Sequence, residues 1–170
     1  MQQVIIVSLL LLSACALAAP SQQLELQSPP DPQSQRATDL VYTPIKPVTD
    51  ENRYTTLNPD VKLTALNKVK HAKGSMVFSS GERISGDKLL VNNYDDESFT
   101  TAVDVEVVMS YSSKTGSATT LTSIEIYVDT TADDASAYFT AGGIGSSEAS
   151  ILLACNQTRT FSYEAVFYGY

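Results

Sequence analysis

The chain has 170 residues, and 11 Lys or Arg against 19 Asp or Glu give it a formal net charge of −8 at pH 7. A surface this acidic repels phosphate backbones, and no stretch concentrates arginine into an element that reads a nucleic-acid groove. We therefore expect no direct binding to nucleic acid.

The N-terminus has the features of a secretory signal peptide. Residues 4–12 are an apolar run, shorter than the ~18 residues of a membrane-spanning helix, and they lead into small residues at 13–19. Cleavage after Ala18 puts Ala16 and Ala18 where signal peptidase requires small side chains. We predict that residues 1–18 are removed and that the mature chain is secreted, extracellular and without a membrane anchor.

Proline and glycine divide the remaining chain. All seven prolines precede residue 60, and all eight glycines follow residue 73. Residues 19–60 are rich in Gln, Ser, Pro and Thr, so they bury too little apolar surface to offset their ordering entropy. We predict a disordered leader here, or a pro-segment removed after export. In the alternative, residues 40–42 and Ile45 dock on the domain as an added edge strand.

Residues 60–73 are the one predicted helix. Apolar side chains recur every fourth residue at Val61, Ala65 and Val69, and lysines crowd the far end, where the helix dipole favours cations. We interpret the lysines as a solvated helix face, with a binding patch as the alternative. Four of the 11 basic residues and the single histidine lie here: Lys62, Lys68, Lys70, Lys73 and His71.

From residue 75 onward the apolar period is two, which indicates strands. The clearest strand is 99–111, and the others are 76–79, 89–92, 119–129, 135–141, 149–154 and 161–168. Turn-forming residues separate them, among them the acidic stretch 95–97 and residues 156–159. About seven short strands predict that residues 61–170 form one all-β domain, an antiparallel β-sandwich or open barrel. A doubly wound α/β fold is excluded because crossover helices are missing.

Three glycines, Gly142, Gly143 and Gly145, separate the third-last and second-last predicted elements. Their density marks a backbone that needs dihedral angles a Cβ would forbid, so we predict a structural turn. A dinucleotide-binding loop would need a further glycine that opens a helix, and here Ser-Ser-Glu and another strand follow.

Catalytic and metal-binding patterns are missing from the sequence. His71 is the single histidine, so neither a Ser-His-Asp triad nor a zinc site can be assembled within one chain. We predict no enzymatic activity, no cofactor and no metal site. Two alternatives stay open: calcium at the acidic stretches 95–97 and 129–134, which lack EF-hand spacing, and carbohydrate binding through some of the nine tyrosines, although no tryptophan offers a stacking platform.

Asn156 begins an N-glycosylation sequon in a predicted turn, and we predict that it carries a glycan. Cys155 is the one cysteine of the mature chain because Cys15 lies in the signal peptide. We favour a free thiol buried as a small apolar side chain over an intermolecular disulfide. A glycan next to it argues against that disulfide, unless the two side chains face opposite ways.

Six motifs follow one another after residue 73: Gly86-Asp87-Lys-Leu-Leu, Ile124-Glu-Ile-Tyr-Val-Asp129, Ala137, the three glycines, Ala149-Ser-Ile-Leu-Leu and Phe161-Ser-Tyr-Glu-Ala-Val-Phe-Tyr-Gly169. With these motifs, residues 73–170 resemble the insect multiprotein bridging factor 2 family. The family's namesake is a transcriptional co-activator that bridges a nuclear receptor to general transcription factors without binding DNA, and many relatives are small exported proteins of saliva, gut or haemolymph.

The signal peptide and the resemblance together set the functional expectation. We expect a secreted, non-enzymatic protein that binds an unknown protein or small ligand in extracellular fluid. Transcriptional co-activation is the alternative. The sequence leaves the partner and the oligomeric state open.

Overall fold

The computed structural model describes residues 39–71, 75–113 and 119–170, so the predicted signal peptide lies outside the described residues. The described chain is almost entirely β-structure, as predicted. Its elements are β1 (Leu40–Tyr42), β2 (Lys46–Val48), a 3-10 helix (Asp50–Asn52), α1 (Tyr54–Leu57), β3 (Thr64–Ala65), β4 (Asn67–Lys70), β5 (Ser75–Gly81), β6 (Lys88–Ser112), β7 (Leu121–Thr130), β8 (Ser136–Gly142) and β9 (Glu148–Gly169).

The strands form one antiparallel sheet around the long pair β6 and β9. Residues 103–112 of β6 and 148–158 of β9 are flanked by β1 and β2 on the β6 side, and by β8 and then β3 on the β9 side. We call this part half-sheet I. Residues 88–98 of β6 and 160–169 of β9 continue through β7, β5 and β4. We call this part half-sheet II.

A bend in β6 and β9 folds the two half-sheets onto each other. The pairing of β6 with β9 shifts register on both sides of Val103, and Gln157 in β9 has φ 51°. Tyr111 is paired with Ala149, and a straight β9 would place Ala149 roughly 60 Å from Phe167. The Tyr111 and Phe167 rings nevertheless meet edge to face, with centroids 6.1 Å apart. The half-sheets therefore enclose one core between them, which confirms the predicted all-β class.

Apolar side chains at every second position of the strands form that core. In β7, Ile124, Ile126 and Val128 are buried, while the residues between them are at least partly exposed. Burial of each large apolar side chain contributes about 1.5–3 kcal/mol, so the alternation fixes which face of each strand points inward. In β9, Leu152 and Thr158 are buried outside this pattern, while most buried residues follow it: Ala149, Ile151, Leu153, Cys155, Phe161, Tyr163, Ala165 and Phe167.

Two predicted turns lie inside strands. Residues 95–97 belong to β6, and residues 156–159 belong to the bend of β9. Among the described strands, this part of β6 pairs with β9 only, so its other side is a sheet edge. Acidic side chains are tolerated at such an edge, where they discourage pairing with another strand. Their polarity was therefore not a turn signal.

The helix predicted over residues 60–73 is wrong. β3 pairs with β8 and β4 pairs with β5, so this segment borders both half-sheets. Leu66, between β3 and β4, is buried. Sheet hydrogen bonds and this burial outweigh a weak helical propensity. Lys73 lies outside the described residues.

The prediction of disorder over residues 19–60 is wrong for residues 39–60, where the alternative of an added edge strand holds. β1 and β2 both pair with β6, and Leu40 and Ile45 are buried in the core. Two buried apolar residues and the backbone pairing suffice to order a proline-containing segment. Within the described ranges, no helix has the length and apolar character needed to cross a membrane.

Candidate binding face

The outer face of half-sheet II presents five strands to solvent. Because side chains alternate along a strand, the burial of one set turns the other set outward. Cross-strand pairing then aligns the outward side chains in rows. The middle row, which we call the tyrosine row, consists of Tyr94, Glu164, Tyr127, Val77 and Val69. Its two tyrosines are 62% and 43% exposed.

Two further rows flank the tyrosine row. We call the three rows together the tyrosine face. The carboxylates of this face form no ion pair with a lysine or arginine among the described residues. One flanking row is Asp96, Ser162, Asp129 and Ser75, and the other is Asn92, Val166, Glu125, Ser79 and Asn67.

Both tyrosines of the tyrosine row are neutral phenols at physiological pH. The Tyr127 hydroxyl donates a hydrogen bond of 2.5 Å to Glu125 Oε2, and this bond, with partial desolvation, raises the pKa of Tyr127 to about 12. Desolvation, and then the charge of Asp96, raise the pKa of Tyr94. A neutral phenol next to a carboxylate combines an apolar ring face with a hydrogen-bonding edge.

A polar recess of about 360 Å³ opens at the bent end of the tyrosine face. Asp96 and Asp129 are both paired with Ser162, so the acidic stretches 95–97 and 129–134 lie on either side of β9. In the described part of the chain, no group of three His, Cys, Asp or Glu residues is placed to hold a metal ion. The recess is lined by Tyr94, Asp96, Glu97, Ser98, Asp129, Thr130, Thr131, Thr160, Phe161 and Ser162.

At the other end of the face, an arginine of the chain itself stacks on a tyrosine. Tyr168 lies two residues beyond Val166 and therefore faces the same way. The Arg83 guanidinium carbon lies 3.4 Å from the centroid of the Tyr168 ring, and its Nε and Nη2 atoms donate to Asp87 at 2.8 to 3.0 Å. These bonds lower the pKa of Asp87 to about 2. The guanidinium is thus held by a carboxylate and a tyrosine ring together.

The family model described as Transcription activator MBF2 matches residues 80–169. The chain belongs to the MBF2 family. The matched range contains Arg83, the whole of β6 to β9 and both tyrosines of the tyrosine row, and it confirms the resemblance noted over residues 73–170. No curated protein and no solved structure matches this MBF2-family chain.

In the MBF2-family range, Gly142, Gly143 and Gly145 form the turn between β8 and β9, with φ angles of 61°, 133° and 83°. Because β9 is one continuous strand, the turn joins the last two strands, and the predicted position before the second-last element is wrong. The Gly145 N–H donates to Leu121 O at 2.8 Å, and the Leu121 N–H donates to Ser146 O at 2.9 Å. The turn therefore ties β8 and β9 to the first residue of β7.

Asn156 lies in the bend of β9. Its Oδ1 accepts a hydrogen bond from Arg53 at 3.1 Å, and its Nδ2 donates to Asp134 at 2.9 Å. Thr158, the hydroxyl residue of the sequon, is fully buried and hydrogen-bonded to Thr130. A transferase has no access to that hydroxyl in the folded protein. Glycosylation of Asn156 stays a prediction, and it requires that the glycan be added before β9 folds.

Cys155 is 1% exposed, and its Sγ lies 3.4 Å from Thr130 Oγ1. Desolvation raises the pKa of the thiol to about 11, so it is protonated at neutral pH. No other described residue forms a disulfide with it. The structure thus places the predicted free thiol in the core.

The predicted basic stretch contributes little to the tyrosine face. Lys68 and Lys70 alternate with Val69 in β4 and therefore point away from that face. Lys68 Nζ donates to Ala135 O at 2.6 Å, and Lys70 pairs with Asp133 at 3.2 Å. His71 follows β4 and is exposed.

The tyrosine face is not evident from the sequence, because buried and exposed tyrosines both lie in strands. Tyr111 and Tyr163 are buried, whereas Tyr94 and Tyr127 are exposed. A signal for Tyr127 was present, since it lies between two apolar residues whose alternation turns it to solvent. The rows themselves depend on strand register, which this sequence does not reveal.

Proposed function

We propose that this MBF2-family chain is a secreted, non-enzymatic protein that binds a protein or small ligand in extracellular fluid, with the tyrosine face as its binding surface. The observation that carries the proposal is the exposure of Tyr94 and Tyr127 in one row of a sheet face. Tyrosines give a binding surface large, rigid contact areas at a low cost in side-chain entropy.

The remaining chemistry supports a binding role over a catalytic one. The Cys155 thiol is buried and protonated, and His71 is exposed at the end of β4. A nucleophile needs an adjacent base, and these two groups offer no such pair. Export is supported by the apolar run and small residues of the predicted signal peptide.

The first test is secretion of the full chain from insect cells. Intact mass of the protein in the medium should give an N-terminus at residue 19 or beyond, with a glycan increment if Asn156 is modified. Unprocessed chain retained in nuclei would contradict export.

The second test uses the secreted protein as bait in saliva, gut fluid or haemolymph. We expect Tyr94→Ser/Tyr127→Ser to lose a partner that the wild type captures. The matched control is Tyr42→Ser/Leu57→Ser, which removes two apolar side chains that are 46% and 64% exposed outside the tyrosine face. Equal capture by both variants would refute this surface.

Transcriptional co-activation is the second candidate, and the family's description as a transcription activator favours it. It requires nuclear protein that binds general transcription factors. Binding to those factors, together with nuclear localisation, would favour it over the secreted role. Failure of both candidate interactions would leave a structural role.

A further inference from the structure

We infer that the tyrosine face binds arginine side chains of a protein partner, with each guanidinium stacked on a tyrosine ring and paired with a neighbouring carboxylate. The inference rests on the proposed function because it names the partner chemistry for the same face. Its support comes from a contact that the chain already makes with itself.

That contact is the Arg83 site. The guanidinium lies flat enough over Tyr168 to bring its central carbon within 3.4 Å of the ring centroid, and it is bound by Asp87 through two nitrogens. Arginine suits such a site better than lysine because its planar group both stacks on aromatic rings and forms forked hydrogen bonds to carboxylates. Half-sheet II thus holds one filled pair of a tyrosine and a carboxylate.

Two further pairs of a tyrosine and a carboxylate on the same face have no stacked cation of their own among the described residues, and the charge of Arg83 reaches Glu125 from the Tyr168 site. Tyr127 lies beside Glu164 and hydrogen-bonds Glu125, and Tyr94 flanks Glu164 from the other side. Asp96 lies two residues from Tyr94 on the same side of β6. No described lysine or arginine forms an ion pair with these carboxylates. The face therefore offers negative charge and ring surface together, and charge complementarity selects a cationic partner.

The spacing of the two tyrosines defines the partner further. Tyr94 and Tyr127 are two strands apart, which corresponds to about 10 Å. Two arginines seven residues apart on a helix have about the same separation. The chain's own residues 1–38 contain one arginine, Arg36, against Glu25 and Asp31. They do not supply such a pair, so the occupant is a separate, arginine-bearing protein segment.

The test is fluorescence anisotropy of labelled nona-arginine and nona-lysine peptides with the secreted mature chain. We expect nona-arginine to bind at least about fivefold more tightly, because two stacked guanidiniums add cation–π attraction that ammonium groups match less well. Tyr94→Ser/Tyr127→Ser should abolish this preference, and Tyr42→Ser/Leu57→Ser should retain it. Equal affinities of wild type for the two peptides, or no binding of nona-arginine, would overturn the inference.

A second pair of variants separates a specific site from general acidity. Glu125→Gln/Glu164→Gln/Asp129→Asn and Glu51→Gln/Asp60→Asn/Glu148→Gln remove the same net charge, on and off the tyrosine face. We expect the first triple to weaken nona-arginine binding about tenfold or more, and the second to weaken it much less. Equal losses would show non-specific attraction and overturn the inference. Thermal melts of each variant establish that it is folded.

The two proposals fail separately. If a natural partner is captured in a tyrosine-dependent way but nona-arginine does not displace it, the binding face stands and the arginine inference fails. Displacement by a simple sugar would overturn the inference in favour of carbohydrate recognition. If capture does not depend on the tyrosines, both proposals fail.

Discussion

The outer faces of the two half-sheets differ in what covers them. On half-sheet I, the segment around the 3-10 helix and α1 lies over β6: Arg53 pairs with Asp104 and Glu106, and the Tyr54 N–H donates to Glu106 Oε2 at 2.7 Å. Glu106 is consequently only 8% exposed, whereas Tyr94 on half-sheet II is 62% exposed. Among the described residues, the segment around α1 therefore covers one face and the aromatic face stays exposed, as a binding surface requires.

The N-terminal segment that covers half-sheet I is held by polar contacts at the bend. Asp104 accepts hydrogen bonds from the backbone N–H and the side chain of Gln157 at 2.9 and 3.0 Å, besides its pairing with Arg53. The backbone bond from Gln157 is the main cause that lowers the pKa of Asp104. The segment that covers half-sheet I therefore also stabilises the bend that brings the two half-sheets together.

The largest expected effect is disruption of the glycine turn between β8 and β9, which also hydrogen-bonds to the first residue of β7. Gly142→Val should destabilise the fold by about 2–4 kcal/mol, because its Cβ would lie 2.2 Å from Glu148 O at a φ of 61°. Gly145→Val is the matched control: its Cβ meets open space at φ 83°, so we expect a loss of about 1–2 kcal/mol from backbone strain alone.

Gly143→Val should fall between these two variants, since its φ is 133° and its Cβ would make ordinary contacts with the Phe139 ring. Urea unfolding of all three variants measures the order. An unchanged free energy of unfolding for Gly142→Val would contradict the structural role of the turn.

The second-largest loss of stability is expected when the N-terminal segment no longer binds half-sheet I. Arg53→Met should cost about 1–3 kcal/mol, because it leaves the largely buried Glu106 carboxylate without its cation. Hydrogen exchange should rise in β1 and β2 and stay unchanged in β7. Lys70→Met, which breaks an exposed pair with Asp133, is the control and should cost under about 0.5 kcal/mol. Equal effects of the two variants would show that the Arg53 cluster adds nothing to stability.

The free energy of unfolding should also depend on pH through Cys155, which lies next to the bend in β9. Its thiol has a folded-state pKa of about 11, above the usual value of about 8.5. Because the folded protein favours the protonated thiol, the resulting stabilisation is complete below about pH 8.5 and is lost as the pH rises toward 11. The loss at pH 10 should be about 1–2 kcal/mol. Urea unfolding at pH 8 and pH 10 should show a loss that is about 1–2 kcal/mol larger in wild type than in Cys155→Ala, which keeps only the smaller loss from tyrosines with raised pKa values, such as Tyr127. An identical pH dependence of the two proteins would contradict burial of the Cys155 thiol away from water.

The smallest effect on stability is expected on the open face. Tyr94→Ser/Tyr127→Ser removes exposed side chains, so the free energy of unfolding should change by less than about 1 kcal/mol while partner binding is lost. Thermal melts and the capture assay are measured on the same preparation. A large drop in melting temperature would mean that the tyrosines stabilise the fold instead of serving a partner.

The alternation of apolar and polar residues made most of the strands predictable from the sequence. The features that the sequence did not predict depend on pairing between strands that are distant in the chain. The strand around Val103 to Tyr111 could be read from its apolar period, and the glycine-rich turn from the dihedral angles that glycine alone adopts easily. The apolar period of residues 60–73 predicts a helix, because the sequence does not show that β5 and β8 have open edges there. For the candidate site, Tyr127 could be assigned to solvent from its neighbours, but its alignment with Glu164 and Tyr94 follows from register across three strands.

Hydroxyl-radical footprinting of the secreted protein, with and without its captured partner, tests the open face most directly. Tyr94, Tyr127 and Tyr42 are all at least 43% exposed, so all three should be modified in the free protein. We expect the partner to protect Tyr94 and Tyr127 and to leave Tyr42 on half-sheet I reactive. Protection of Tyr42, with Tyr94 and Tyr127 still modified, would contradict it.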